Sequence, residues 1–210
     1  MVMCYGQDDR ACAYTSFRAI LSVELPKRTA CCMLVDKEEI GSIGNTGMES
    51  RFFENTIAEV LDRLGMYSEL NVRRCLSHSK VISSDVAVGF DPNYPSISSK
   101  DNTAYFGKGL VMEKYTGSRG KYSATDANAE YLAQIRKCMD DQNIVYQFAE
   151  LGKIDAGGGG TIAYIVANLN MEVIDAGIPV QNMHAPFEVT SKADVYEAYL
   201  GYKAFLEYMN

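Results

Sequence analysis

Short apolar runs alternate along this chain with stretches of helical periodicity, and that alternation limits the folds open to it. Continuous apolar runs at 29–35, 80–88, 110–115, 144–149 and 171–175 read as buried strands. Helical spacing covers 10–23, 49–64, 126–139, 161–169 and 191–208. Helices that alternate with strands cover both faces of a sheet. The pattern therefore predicts an α/β fold, a three-layer α/β/α domain around a central mixed, largely parallel sheet. In the first helix Cys12, Tyr14, Phe17, Ile20 and Leu21 fall near one face. In the last, Ala193, Val195, Tyr196, Tyr199, Leu200 and Phe205 are expected to point inward. Pro26 ends the first helix, Gly65 stops the second, and Thr125 or Asp126 caps the third. Residues 92–106 read as a polar loop, and 155–160 as a glycine loop that opens a helix. No repeat or linker interrupts the sequence, so residues 1–210 are expected to form a single domain.

Composition narrows the partners. The net charge is -7 and the pI about 4.9, which argues against nucleic-acid or anionic-membrane binding. No apolar run is long enough to cross a bilayer, and no basic stretch followed by an apolar one marks a signal peptide. The cysteines, at 4, 12, 31, 32, 75 and 138, form no C-x-x-C pair and lie mostly in apolar segments. They read as free thiols in a reducing compartment, and the expected location is cytoplasmic.

Acidic residues and a histidine gather where the expected strands end. Asp8 and Asp9 precede the first helix, Glu38 and Glu39 follow the first strand, Asp85 sits at the second, and His184 follows the fifth. Sites in α/β folds collect at the carboxyl ends of strands. Glu38-Glu39 is the most informative pair. Two adjacent carboxylates beside a buried strand repel one another unless a cation is near. In extended chain they point in opposite directions, so one can bind a metal while the other faces the water attached to it. That division suits hydrolysis. Paired metals lower the pKa of a bound water toward ~7, and a free carboxylate beside it takes the proton as general base. Taken singly, each residue has a plainer reading: a solvated loop edge for the glutamates, a helix N-cap for Asp8-Asp9, a turn for Asp85, a hydrogen-bonded loop histidine for His184. Their order and context together favour a metal site.

Five segments carry a resemblance. They are Gly6-Gln7-Asp8-Asp9-Arg10, Asp36-Lys37-Glu38-Glu39-Ile40-Gly41-Ser42, Ser84-Asp85-Val86-Ala87 with Asp91-Pro92-Asn93-Tyr94 downstream, Gly159-Gly160-Thr161-Ile162, and Met183-His184-Ala185. In this order they resemble the aspartyl aminopeptidase family, which includes the vacuolar aminopeptidase I type. The resemblance covers essentially the whole chain. It implies a metallo-aminopeptidase that removes N-terminal residues from peptides with a two-metal-activated water. Asp8 matches the aspartate that bridges both metals, Glu39 and Asp85 match terminal ligands, and His184 matches a histidine ligand. Glu38 matches the general base. The implied metal is zinc, two Zn2+ per complete site. Gly159, Gly160 and Thr161 would lie near the substrate; a plain strand-to-helix turn is the equal alternative for that loop.

The departures carry expectations of their own. The family has an earlier segment with an H-x-D motif, whose histidine completes the ligand set. The two histidines here are His78 and His184, and His78 matches no ligand position. Family members are also about twice as long and carry an inserted dimerisation domain, which this sequence lacks. The expectation is therefore a catalytic domain without its N-terminal part, a fragment of an enzyme that is a homo-oligomer at full length. The alternative is an inactive or degenerate chain that binds metal or a partner; a broader di-zinc hydrolase is a third reading. Glu113 stands where acid-preferring relatives carry a lysine, which leaves acidic and neutral N-terminal residues both open.

Overall fold

The computed structural model describes residues 1–153 and 155–209. In chain order the elements are β1 (Val2–Cys4), α1 (Gln7–Ser22), α2 (Phe52–Arg63), α3 (Glu69–Ser77), β2 (Lys80–Ser83), β3 (Ala87–Val88), β4 (Leu110–Glu113), β5 (Tyr115–Ser118), β6 (Tyr122–Asp126), α4 (Ala129–Asp141), β7 (Tyr146–Phe148), α5 (Ala163–Ala167), β8 (Glu172–Gly177), β9 (Pro179–Gln181), β10 (Glu188–Thr190) and α6 (Lys192–Tyr208).

The main sheet has the order β2-β8-β4-β7. β2 runs parallel to β8, β4 antiparallel to β8, and β7 parallel to β4. Alternation along β8 separates the layers. Ile174 and Ala176 join Leu110 and Met112 in a core with residues of α1, α4 and α6, among them Cys12, Tyr131, Ile135 and Tyr202. Val173 faces the other way, toward Val72 and Leu76 of α3 and Ala163 and Val166 of α5. The result is the expected α/β/α layering, with a sheet in which two of the three pairings are parallel. The strands do not all join one sheet, however. β1-β10-β9-β3 form a second sheet, and β5 and β6 a hairpin.

The second sheet arises because the apolar run at 80–88 is broken. Its two parts, β2 and β3, belong to different sheets, and Asp85 lies in the break between them. Gly177 explains the crossing: a Cβ there would stand 1.5 Å from the Asp85 carbonyl oxygen. Only a residue without a side chain lets the chain pass so close over β8.

Other expectations need correction. Residues 29–35 form no strand. Among the described residues their backbone makes no hydrogen bond, because no neighbouring strand lies beside them. A cavity of about 530 Å³ instead separates this segment from Val81 and Ile82 of β2, with Ile162, Val166, Tyr202 and Phe205 in its walls. The inner face of α1 is rotated from the expected one, although Cys12 is buried as expected, and in α6 Val195, Tyr199, Leu200 and Phe205 pack against the core as expected while Ala193 and Tyr196 are exposed. α1 buries Ala11, Cys12, Thr15 and Ala19, while Tyr14, Phe17 and Leu21 stay exposed. Its small residues pack closely along α6, which buries Asp194, Ala198, Gly201 and Tyr202 and leaves Tyr196 exposed. Asp194 turns inward because its carboxylate accepts the N–H groups of Gly107 and Gly109, each at 2.8 Å. Asn128 occupies the N-cap of α4, since Thr125 and Asp126 belong to β6. Helix α3 and the β5–β6 hairpin were not legible as such. The α3 signal is a Ser68 cap accepting from the Asn71 N–H, followed by Val72 and Leu76 on one face.

Candidate metal centre

The antiparallel pairing of β1 with β10 places Cys4 opposite Glu188, so the start of α1 lies beside the β9–β10 loop that carries His184. Asp8 and Asp9 occupy the first turn of α1 but depart from helical dihedrals, and the peptide between them is cis. Asp8 Oδ2 lies 2.9 Å from His184 Nε2, and Glu39 Oε2 lies 3.4 Å from the same nitrogen. A second group sits on the inner side. Asp8, Asp9 and Asp85 bring carboxylate oxygens within 4.8 Å of one another, as do the ligand atoms of Asp8, Glu39 and His184. Asp8 is the member common to both groups.

Glu38 and Glu39 open a short 3-10 turn, Glu38–Ile40, flanked by Lys37 and Gly41 in left-handed conformation. The turn leaves Glu39 exposed and Glu38 half-buried, and Glu38 belongs to neither three-donor group. Glu188 was not anticipated. It is buried on β10, and its Oε1 accepts the backbone N–H of His184 at 2.8 Å while Oε2 accepts that of Asp8 at 3.0 Å. Its one sequence signal is a position four residues beyond His184.

The site is short of positive charge. Burial, then Glu39, pushes the Asp8 carboxyl up to about 6, although His184 opposes the shift. Burial, then Asp85, pushes Asp9 up to about 9. Burial followed by Glu39 and Asp8 raises Glu38, and burial followed by Glu38 and Asp8 lifts Asp85 well above the carboxylate range. Asp9 Oδ1 is buried with no hydrogen-bond partner among the described residues. A divalent cation would answer both facts, and carboxylate oxygen with imidazole nitrogen is a donor set that suits zinc. The residues therefore fit the implied metal.

The glycine loop lies to one side. An added Cβ at Gly158 would meet the Gly117 carbonyl oxygen at 2.4 Å, and one at Gly160 would meet the Ser123 Cβ at 2.4 Å. Both glycines thus press against the β5–β6 hairpin. At Gly159 a Cβ would meet Leu151 at 3.0 Å. Thr161 is buried; its hydroxyl donates to Asp175 at 2.7 Å and accepts the Ala163 N–H at 3.1 Å. Asp175 in turn acts electrostatically on Glu38 and Asp85, so the loop is linked to the acidic cluster through this one carboxylate.

Known proteins resemble this chain in sequence and in fold. The sequence pattern of the Aminopeptidase I zinc metalloprotease family (M18) matches residues 1–206. A Clostridium acetobutylicum protein named "Probable M18 family aminopeptidase 1" is 57% identical over 206 residues, which is 98% of this chain and 44% of that protein. The crystal structure of aminopeptidase I from Clostridium acetobutylicum superposes with a TM-score of 0.90 at 55% identity, over 98% of this chain and 44% of that one. That of an M18-family aminopeptidase from Thermotoga maritima gives 0.94 at 44% identity, over 98% and 46%. The chain thus spans under half the length of the relatives it matches, and no helix among its described residues is long and apolar enough to cross a membrane. On sequence pattern, identity and fold together, the chain belongs to the M18 aminopeptidase I family of zinc metalloproteases.

Proposed function

We propose that this chain supplies the greater part of the catalytic centre of a zinc aminopeptidase that removes N-terminal residues from peptides. The observation that carries the reading is Asp8, whose carboxylate is common to two adjoining three-donor groups. Asp8 with Glu39 and His184 would hold one zinc ion, and Asp8 with Asp85 the other; Asp9 is the third member of this second group. Bound zinc would supply a Lewis acid beside the scissile carbonyl. Glu38 stands next to both groups and outside them. Its carboxylate takes a proton from the attacking water as the water oxygen bonds to the carbonyl carbon. It then gives that proton to the leaving amine nitrogen as the C–N bond breaks. The raised pKa of Glu38 suits a group that takes and returns a proton within one cycle. Thr161 holds Asp175 in place from the glycine-loop side, and Gly159 and Gly160 let backbone lie close to a bound peptide.

The test is hydrolysis of aminoacyl-nitroanilides by the full-length zinc- or cobalt-loaded protein. Turnover that a chelator abolishes and added zinc restores is the expected result. Absence of chelator-sensitive turnover would remove the enzyme reading.

One observation favours a second reading, a metal- or partner-binding chain with no turnover of its own. The 530 Å³ cavity lies between residues 29–35 and β2, and Glu38 and Glu39 stand in its wall. An edge strand facing a void is a place for further chain to pair. Zinc analysis of residues 1–210 alone separates the two readings: fewer than two ions per chain and no turnover would favour the second.

A further inference from the structure

Asp175 is a buried carboxylate that takes no direct part in the proposed reaction. It is 3% exposed and sits on β8, which lies between β2 and β4 in the main sheet. Register places it opposite Ser83 on one side and Glu113 on the other. Ser83 precedes Asp85 by two residues. Two residues beyond Asp175, at Gly177, β8 passes beneath the Asp85 carbonyl. The backbone around Asp175 is therefore tied to the segment that carries a candidate metal ligand.

The side chain is tied elsewhere. Its two oxygens each accept one hydroxyl, Oδ2 that of Thr116 at 2.9 Å and Oδ1 that of Thr161 at 2.7 Å. The two donors belong to separate segments. Thr116 lies on β5 of a hairpin that pairs with neither sheet, and Thr161 ends the glycine loop. These segments also meet one another. The Arg119 N–H donates to the Gly157 carbonyl at 3.1 Å. Gly158 and Gly160 press on Gly117 and Ser123 so closely that neither has room for a Cβ. Asp175, the hairpin and the glycine loop thus form a closed triangle.

A carboxylate is costly to bury, and an apolar side chain would fill the same place in β8. What an apolar contact lacks is direction. Hydrogen bonds to a carboxylate are short, oriented and about twice as strong as those between neutral groups. Such a clamp suits a loop whose position matters more than its burial.

We propose that Asp175 is a positioning residue: through Thr116 and Thr161 it holds the glycine loop at a set distance from the metal centre, so that the loop can bind peptide backbone while the scissile carbonyl lies at the metals. This rests on the aminopeptidase reading above. A peptide held at both places needs them in register, and a misplacement of about 1 Å can cost on the order of 100-fold in rate. Asp175 touches no substrate atom and acts only through the two threonines.

The experiment uses the full-length zinc-loaded enzyme and the aminoacyl-nitroanilide that it hydrolyses fastest. Thr116→Val removes one hydroxyl, keeps the side-chain volume and alters neither a ligand candidate nor Glu38. KM is expected to rise by about tenfold, the worth of a hydrogen bond to a charged group, with kcat and zinc affinity within about twofold of the unaltered enzyme. Thr161→Val should raise KM in the same way, and Thr116→Ser, which keeps the hydroxyl, should leave KM as it was. A merely structural role would lower the thermal midpoint of the valine variants without moving KM. Unchanged KM in either folded valine variant overturns the proposal, as does a raised KM in Thr116→Ser or a loss of zinc affinity in step with the rise in KM. Valine variants too unstable to purify overturn it as well, since the two bonds would then serve the fold and not the site. In each of these cases turnover by the unaltered enzyme leaves the aminopeptidase reading standing. Hydrolysis of no aminoacyl-nitroanilide by the unaltered enzyme removes that reading, and the proposal with it.

Discussion

Glu188 ties Asp8 to His184 through their backbones: one carboxylate oxygen accepts the His184 N–H at 2.8 Å and the other accepts the Asp8 N–H at 3.0 Å. The two residues lie 176 positions apart in sequence (184 − 8), yet one buried side chain fixes their separation. Supporting contacts of this kind orient metal ligands, and their loss commonly costs about 10- to 100-fold in metal affinity. Glu188→Gln keeps one acceptor oxygen and replaces the other with an NH2 donor that faces an N–H. Zinc affinity is expected to fall by about that factor, read by competition with a chromogenic chelator. Unchanged affinity would mean that the fold holds Asp8 and His184 without this bridge.

The acidic cluster gives the metal-free protein an unusual pH response. Asp8 rises to about 6 and Asp9 to about 9 from a model-peptide value of 3.8. A carboxyl whose folded pKa exceeds its unfolded one binds more protons in the folded state. Its contribution to stability is therefore complete below the unfolded pKa and is lost as pH rises through the folded value. In chelator, thermal midpoints should fall as pH rises from about 4 past 6 and on toward 9. Zinc needs these groups ionised, so its affinity should rise over the same range, and zinc should restore the midpoint most at the alkaline end. Calorimetric scans with and without zinc at several pH values check this. A chelated protein that gains stability with pH would contradict the charge assignment.

Glu38 separates base from ligand. Glu38→Gln removes proton transfer but leaves Asp8, Glu39, Asp85 and His184 in place. Turnover should drop by about 10²- to 10⁴-fold, the usual worth of a positioned general base, with zinc binding retained. Parallel loss of zinc and turnover would move Glu38 into the ligand set.

Much of this cluster was legible in the sequence through the order in which its acidic residues and histidine recur, although Glu38 and Glu39 follow no strand and sit in a 3-10 turn. The fold brings Asp8 to Glu39, His184 and Asp85, residues spread over most of the chain. What stayed hidden depended on neighbours. Residues 29–35 look like a strand because the run is apolar, but a strand exists only where another backbone lies beside it, and here a cavity does. The face of α1 was misread because large side chains weigh most in a periodicity. Close packing on α6 selects the small ones, Ala11, Cys12 and Ala19. Glu188 could not be told from any exposed strand glutamate, since its partners are backbone N–H groups that no residue type announces. Glu113 shows the same limit: its burial follows from register against Asp175, which no local pattern contains.

The crossing of the 84–86 segment over β8 gives a last prediction, one about stability. The Asp85 carbonyl oxygen lies where a Cβ of residue 177 would be, 1.5 Å away, and the Cys12 sulfur is 3.3 Å from the same point. Both neighbours are fixed, the first by being backbone and the second by burial in the core. Gly177→Ala must therefore push the 84–86 segment away from β8. Overpacking of a rigid core costs about 1–3 kcal/mol, and a clash with backbone belongs at or above the upper end. The displaced segment carries Asp85, so the variant should lose zinc affinity along with stability. Gly89→Ala serves as the comparison. Its Cβ would meet the movable Phe106 ring at 3.0 Å and the Val180 carbonyl at 3.2 Å, so a smaller loss of stability with normal zinc binding is expected. Denaturant unfolding and zinc titration of the two variants side by side decide the matter: equal effects would mean that Gly177 has no special part in seating Asp85.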